Sequence, residues 1–252
     1  MPPRARALLA DGHLPIDTAQ LTVNGRPVPV ILRRNARARR IILRLDRAGA
    51  GIVITLPRRA SRESALAFAH AQAGWIGQRL KRAAAPVLIA PGSSVPLRGE
   101  MHVIRNRPQQ RGAIVVERDS EACPPALCIK GNEAHIARRL RDWLKSEARN
   151  DLAAACRRHA AAMGVEFRKL TVRDPASRWG SCSTAGGLSF SWRLILAPRH
   201  ILDYVAVHEV AHLVEMNHGP DFWSLVARHF PDFRRARLWL RQHGPGLHSY
   251  GP

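Results

Sequence analysis

Residues 203–218 constrain this chain more than any other stretch. They read D-Y-V-A-V-H-E-V-A-H-L-V-E-M-N-H, an H-E-x-x-H pentad at 208–212 with a third histidine six residues later. His208 and His212 are four apart, so on an α-helix they share one face, about 40° apart around the axis. Two imidazoles so placed can share a tetrahedral Zn²⁺, and Glu209 flanks them as a base for a water held there. On a straight continuation His218 would fall roughly 240° round from His212. It joins the pair only if the helix stops near Met216 and Asn217 and the chain turns back. Asn217 tolerates left-handed backbone, and Gly219 and Pro220 follow at once.

Chance does not account for the motif. With 12 His and 9 Glu in 252 residues, composition yields roughly 0.02 such pentads, and about 0.001 with the third histidine. The neighbours Val205, Ala206, Val207, Val210, Ala211, Leu213 and Val214 make the helix apolar on nearly every side, hence buried. Two histidines and a carboxylate there are costly without a partner, and a metal ion supplies one. Glu215 would lie three residues beyond His212 on the ligand face. It is an acceptor behind the ligands, an alternative ligand, or an exposed carboxylate.

The chain is long enough for one large domain or two small ones. No apolar run approaches the ~18 residues of a membrane span, and the N-terminus leads into no signal-like segment, so a cytoplasmic protein with no membrane partner is expected. Cys123, Cys128, Cys156 and Cys182 contain no C-x-x-C pair, which gives neither a disulfide framework nor a zinc ribbon. The net charge is +21, and all but Lys81, Lys130, Lys145 and Lys169 of the 40 basic residues are Arg. Such an excess allows nucleic acid as a partner, against the plainer reading of a solvated basic face.

Residues 1–18 show no periodicity and are read as a loose terminus. Residues 19–130 form a β-rich region with one helix: a hairpin about Asn24 and Gly25, its second strand demoted to an edge by Pro27 and Pro29; a basic block at 33–40; a second hairpin turning at 47–51; a helix capped by Ser61 and ending near 85–86; and short strands near 95–104, 113–117 and 126–130. Composition shifts at Gly131. From 133 to 163 there is no Gly or Pro, and the apolar stripe predicts a helix of about 30 residues ending at Gly164. Strands at 165–172 and 188–196 follow, then the motif helix, a short helix from Asp221, and a last helix at 233–243 ending at Gly244. Residues 131–252 are the expected catalytic domain, and the fold class is α+β.

The run S-R-W-G-S-C-S at 177–183, W-R-L-I-L-A-P at 192–198, and D-Y-V leading into H-E-V-A-H, then N-H and F-W at 222–223, resemble the YgjP-like metallopeptidases, relatives of the SprT-like and WLM zinc peptidases. The likeness is specific over 177–240 and looser back to about residue 33. It implies His208, His212 and His218 as zinc ligands, Glu209 as catalytic base, and a zincin-like α+β core. Ser191 stands where the family has Asn, and Asp221 where a small or basic residue is usual. The ligand spacing equals that of metzincins, but Glu215 replaces their mid-loop Gly and no Met-turn follows.

The expected function is zinc-dependent hydrolysis of a protein or peptide substrate. An extended substrate would add beside strand 188–196, with Tyr204, Arg178, Arg193 and His229 as candidate oxyanion partners. The rival from another class is a nucleic-acid-binding protein with a structural zinc site, and the intermediate reading is a protease recruited to DNA. A structural site needs no glutamate beside its ligands and usually recruits Cys to close all four positions, which argues against the rival.

Overall fold

The computed structural model describes residues 17–46, 51–82, 86–107, 114–118, 123–175 and 177–251. Of the expected loose terminus at 1–18, residues 1–16 lie outside them, as does most of the 47–51 turn, while Asp17 and Thr18 already belong to a strand. The protein is mixed α+β, and its chain divides into two compact units at Pro86 and Val87.

In the first unit, strands β1 (Asp17–Val23), β2 (Arg26–Arg34), β3 (Ile42–Leu45) and β4 (Ile52–Leu56) form a sheet in the order β1-β2-β4-β3. Asn24 and Gly25, both at positive φ, make the tight turn between β1 and β2. Strand β2 is internal, not an edge. Its parallel pairing with β4 begins only at Val30, so Pro27 and Pro29 occupy the part that pairs with β1 alone and interrupt no ladder. Leu21, Val30, Leu32, Ile52 and Ile54 bury one face against Ala65, Ala69 and Ile76 of helices α1 (Arg62–Ala71) and α2 (Ala73–Arg82). The single helix expected here breaks at Gln72, leaving Phe68 and Trp75 largely exposed. Within the basic block, Arg34 is tied to the carbonyls of Pro57, Arg58 and Ala60, whereas Arg37, Arg39 and Arg40 are exposed.

The second unit opens with strands β5 (Ser94–Leu97), β6 (Glu100–Asn106), β7 (Ile114–Glu117) and β8 (Ala126–Ile129), ordered β5-β6-β8-β7. Composition changes at Gly131, yet this sheet shares one core with everything that follows it. Val95, Leu97, Ile104, Leu127 and Ile129 pack with Ile136, Leu140 and Leu144 of helix α3 (Ile136–Met163), which Gly164 ends in left-handed geometry. Polar bonds fasten the β5–β6 turn to the same body. The Arg98 guanidinium binds Asp151 and Glu147 of α3 at 2.7 Å each, and its main-chain N–H donates to the Ile195 carbonyl at 2.6 Å.

A three-stranded sheet follows, with β9 (Lys169–Arg173) parallel and β10 (Gly180–Cys182) antiparallel to the central β11 (Gly187–Ser191). The strand expected to run to 196 ends at Ser191, and 192–196 is a 3₁₀ turn buried on all sides. Two contacts explain the switch. The Ser191 hydroxyl accepts from the Arg193 N–H, and the Arg193 guanidinium, 1% exposed, is drawn inward to Asp174 at 2.8 Å and to the carbonyls of Leu247, Tyr250 and Gly251. Arg193 is thus a structural anchor, removed from the oxyanion candidates. Arg193→Ala takes away the donor shared by a partly buried carboxylate and three carbonyls. It is expected to cost about 3–5 kcal/mol in chemical denaturation; a loss below about 1 kcal/mol would mean that water replaces the guanidinium.

Helices α4 (Arg199–Ala211), α5 (Pro220–His229) and α6 (Phe233–Leu247) complete the unit, α4 packing on α3. Helix α6 runs through Gly244 rather than stopping there. A Cβ on Gly244 would lie 2.9 Å from the Trp179 ring, so this glycine admits the indole and does not end the helix. All four cysteines are free. No described helix is long and apolar enough to cross a membrane.

Candidate metal centre

Helix α4 is embedded in the core through Ile201, Val205, Ala206, Val207, Val210 and Ala211. That packing, rather than the motif itself, fixes the direction in which His208 and His212 point. The helix stops at Ala211, earlier than the sequence suggests. The N–H groups of Leu213 and Val214 tighten onto the carbonyls three residues back, and beyond Leu213 the apolar residues Val214 and Met216 are exposed. None of residues 214–219 is buried. The 212–219 segment folds back and delivers His218, and Pro220 in the first turn of α5 restarts helical structure.

The result is a cluster of three imidazoles. One ligand nitrogen from each of His208, His212 and His218 lies within 4.8 Å of the others, and the Nε2 atoms of His208 and His218 are 3.1 Å apart. The His212 Nδ1 is 3.0 Å from the Glu215 main-chain oxygen. A carbonyl can only accept, so Nδ1 carries the proton and Nε2 keeps its lone pair free for a cation. Glu215 thus orients His212 through its backbone. Its carboxylate is turned to the Asn217 N–H at 3.1 Å. The His208 Nδ1 is buried without a hydrogen-bond partner.

Electrostatics favour the neutral form of two of these rings, His208 and His212. Burial first, then the neighbouring His212, His218 and Arg237, depress the His208 pKa to about 3; burial likewise lowers that of His212. Three imidazoles converging on one point, with no carboxylate among them, suit a borderline-soft divalent ion such as Zn²⁺ and leave one tetrahedral position open.

Glu209 is 5% exposed. Burial pushes its pKa up to about 7, with the Arg178 charge and the Cys182 main-chain N–H pulling the other way. Its seat is made by Gly180 of β10: a Cβ there would come within 2.5 Å of Glu209 Oε1 and 2.6 Å of its Cγ. Gly180→Ala must displace either the strand or the carboxylate. It is expected to lower stability by about 1–3 kcal/mol, read from the unfolding midpoint, and an unchanged midpoint would show that the side chain swings aside freely.

Aromatic rings wall the cluster. Phe222, fully buried at the start of α5, stacks on His212 at 4.4 Å and meets His208 and His218 edge-on at 5.0 and 4.8 Å. Trp223 lies 5.8 Å from both His208 and His218 and carries the Arg237 guanidinium 5.1 Å over its ring. Among the oxyanion candidates, Tyr204 stands edge-on to His208 at 6.1 Å and Arg178 faces Glu209, while His229 faces His159 and Arg228. Sequence reading misses Gly180, the Glu215 carbonyl and Arg237. None has a local signature, since each acts through a partner far along the chain or through its backbone.

A model of the YgjP-like metallopeptidase domain matches residues 39–243. No curated protein and no solved structure matches the chain. The matched span covers most of the sequence and encloses the histidine cluster, Glu209 and the strand that seats it: the chain belongs to the YgjP-like metallopeptidase family.

Proposed function

We propose that the protein is a zinc metallopeptidase with a zincin-like core, in which His208, His212 and His218 hold the metal and Glu209 is the general base. The observation that carries this reading is the convergence of three imidazoles next to a buried carboxylate that is not needed as a ligand. Bound there, Zn²⁺ would acidify a water and polarise a peptide carbonyl. The Glu209 carboxylate takes a proton from the attacking water and hands it to the departing amine nitrogen. A base buried enough to be pushed towards neutrality can make both transfers near pH 7. Burial raises the Tyr204 phenol, which keeps it a hydrogen-bond donor beside His208, and Arg237 adds a fixed positive charge on the same side. These two groups are suited to the developing oxyanion.

The strand expected at 188–196, observed as β11, has no free edge for a substrate strand, because β10 lies on one side and β9 on the other. The edge next to Glu209 is β10, and an extended peptide is proposed to lie along it. The rival reading, a nucleic-acid-binding protein with a structural zinc site, leaves the buried Glu209 and the open fourth position without a purpose. Metal analysis together with cleavage of an unbiased peptide library by the zinc-loaded protein tests the proposal. Stoichiometric zinc without cleavage of any peptide would overturn it.

A further inference from the structure

Two open cavities adjoin in the second unit. The first, about 490 Å³, lies between α3 and the start of β9. Arg149 and Arg157, eight residues apart on one face of α3, line it together with Arg168 and Lys169, around the apolar Phe167 and Leu170. The second, about 480 Å³, spreads over the outer face of the β10-β11-β9 sheet. Its sheet-face lining includes the short side chains of Thr171, Ser181 and Ser189, with Arg173 and Arg178 beside them. Lys169 lines both cavities, so the two adjoin at that side chain, and together they make a trough. The trough ends at Gly180 and Cys182 of β10, the strand on which Glu209 is seated.

Among the described residues, no Asp or Glu lines either cavity. Arg149, Arg157, Arg168, Lys169 and Arg173 form no ion pair among the described residues, although the chain pairs other arginines closely, as at Arg98 and Arg193. Like charges lining one trough repel one another, and an anionic ligand relieves that repulsion. A single strand of nucleic acid would need successive aromatic platforms for its bases. Here Phe167 is the only aromatic ring among the described lining residues, and the floor of Ser, Thr and Gly fits a polypeptide backbone.

We propose that this trough binds an acidic segment of the polypeptide substrate, its Asp and Glu carboxylates on the Arg and Lys side chains, and leads that segment to Glu209. The role as a substrate subsite rests on the peptidase reading; the binding itself does not.

The test uses the whole 252-residue chain, zinc-supplemented and carrying Glu209→Gln, which is expected to turn its ligand over at least ~100-fold more slowly. Fluorescence anisotropy compares a labelled peptide of alternating Glu and Gly with its Gln-for-Glu counterpart, and with a thymidine oligonucleotide of equal charge. The Glu peptide is expected to bind at least ~10-fold more tightly than the Gln peptide at low salt, with the preference shrinking as salt rises. Arg157→Glu with Lys169→Glu should abolish that preference, and the milder Arg157→Gln with Lys169→Gln should weaken it if the charge reversal disturbs folding. Equal binding of both peptides, or a preference untouched by either pair of substitutions, overturns the proposal. Binding of the oligonucleotide alone overturns it as well and makes the trough a nucleic-acid site. If the Glu peptide binds as expected but the zinc-loaded wild type cleaves nothing, the trough stands and the peptidase reading falls.

Discussion

Glu209→Gln is expected to fold, to hold zinc like the wild type, and to lose peptide cleavage by a factor on the order of 10²–10⁴. The substitution keeps the length of the side chain and its hydrogen-bonding capacity, so Gly180 still accommodates it and the strand need not move. What it removes is the ability to accept a proton. The three imidazoles that would bind the metal are untouched, and the His212–Glu215 contact that fixes one of them is independent of Glu209. Metal content and initial cleavage rate must be measured on one preparation. A variant that cleaves as fast as wild type would falsify the role assigned to Glu209; one that loses both zinc and activity would show instead that the carboxylate supports the metal site.

His218→Ala is expected to lower zinc affinity by more than ~100-fold, beyond the 10–100-fold typical of removing an outer hydrogen-bond partner. His218 is exposed and sits on a turn, so its loss leaves the core intact, unlike truncation of His212, which Phe222 covers. Folding and metal binding can therefore be separated at this position. For the wild type, zinc at about 100 times its Kd should add about 2.7 kcal/mol to unfolding stability, and the variant should gain almost none at the same concentration. Competition with a chromogenic chelator reads the affinity, and denaturant titration with and without zinc reads the linkage. Stoichiometric zinc at unchanged affinity in His218→Ala would take that residue out of the ligand set.

Features encoded within a few residues are legible in the amino-acid sequence alone. The spacing of His208 and His212 puts them on one helical face because 3.6 residues make a turn, wherever that helix lies. The 28-residue α3 follows from an unbroken stripe of apolar residues and ends where Gly164 ends it. Asn24 and Gly25 turn the first hairpin because both sit easily at positive φ. Each of these is settled by the chain's own short-range geometry.

The remainder is decided by partners distant in sequence. Pro27 and Pro29 suggest an edge strand, but β4 pairs only beyond them, and β2 is internal. Composition changes at Gly131, yet the compact units divide at Pro86 and Val87, because Arg98 reaches Asp151 and Glu147 and β5–β8 share the core of α3. The strand expected to reach 196 curls at Ser191 because the Arg193 guanidinium finds Asp174 and the C-terminal carbonyls. Glu209 is distinctive in the sequence only for its place between two histidines. Its seat comes from Gly180 of β10, about thirty residues upstream, and its raised pKa from burial within the folded chain. Periodicity shows which face of an element will be buried; what buries it, and what that does to an ionisable group there, depends on long-range packing that no local pattern encodes.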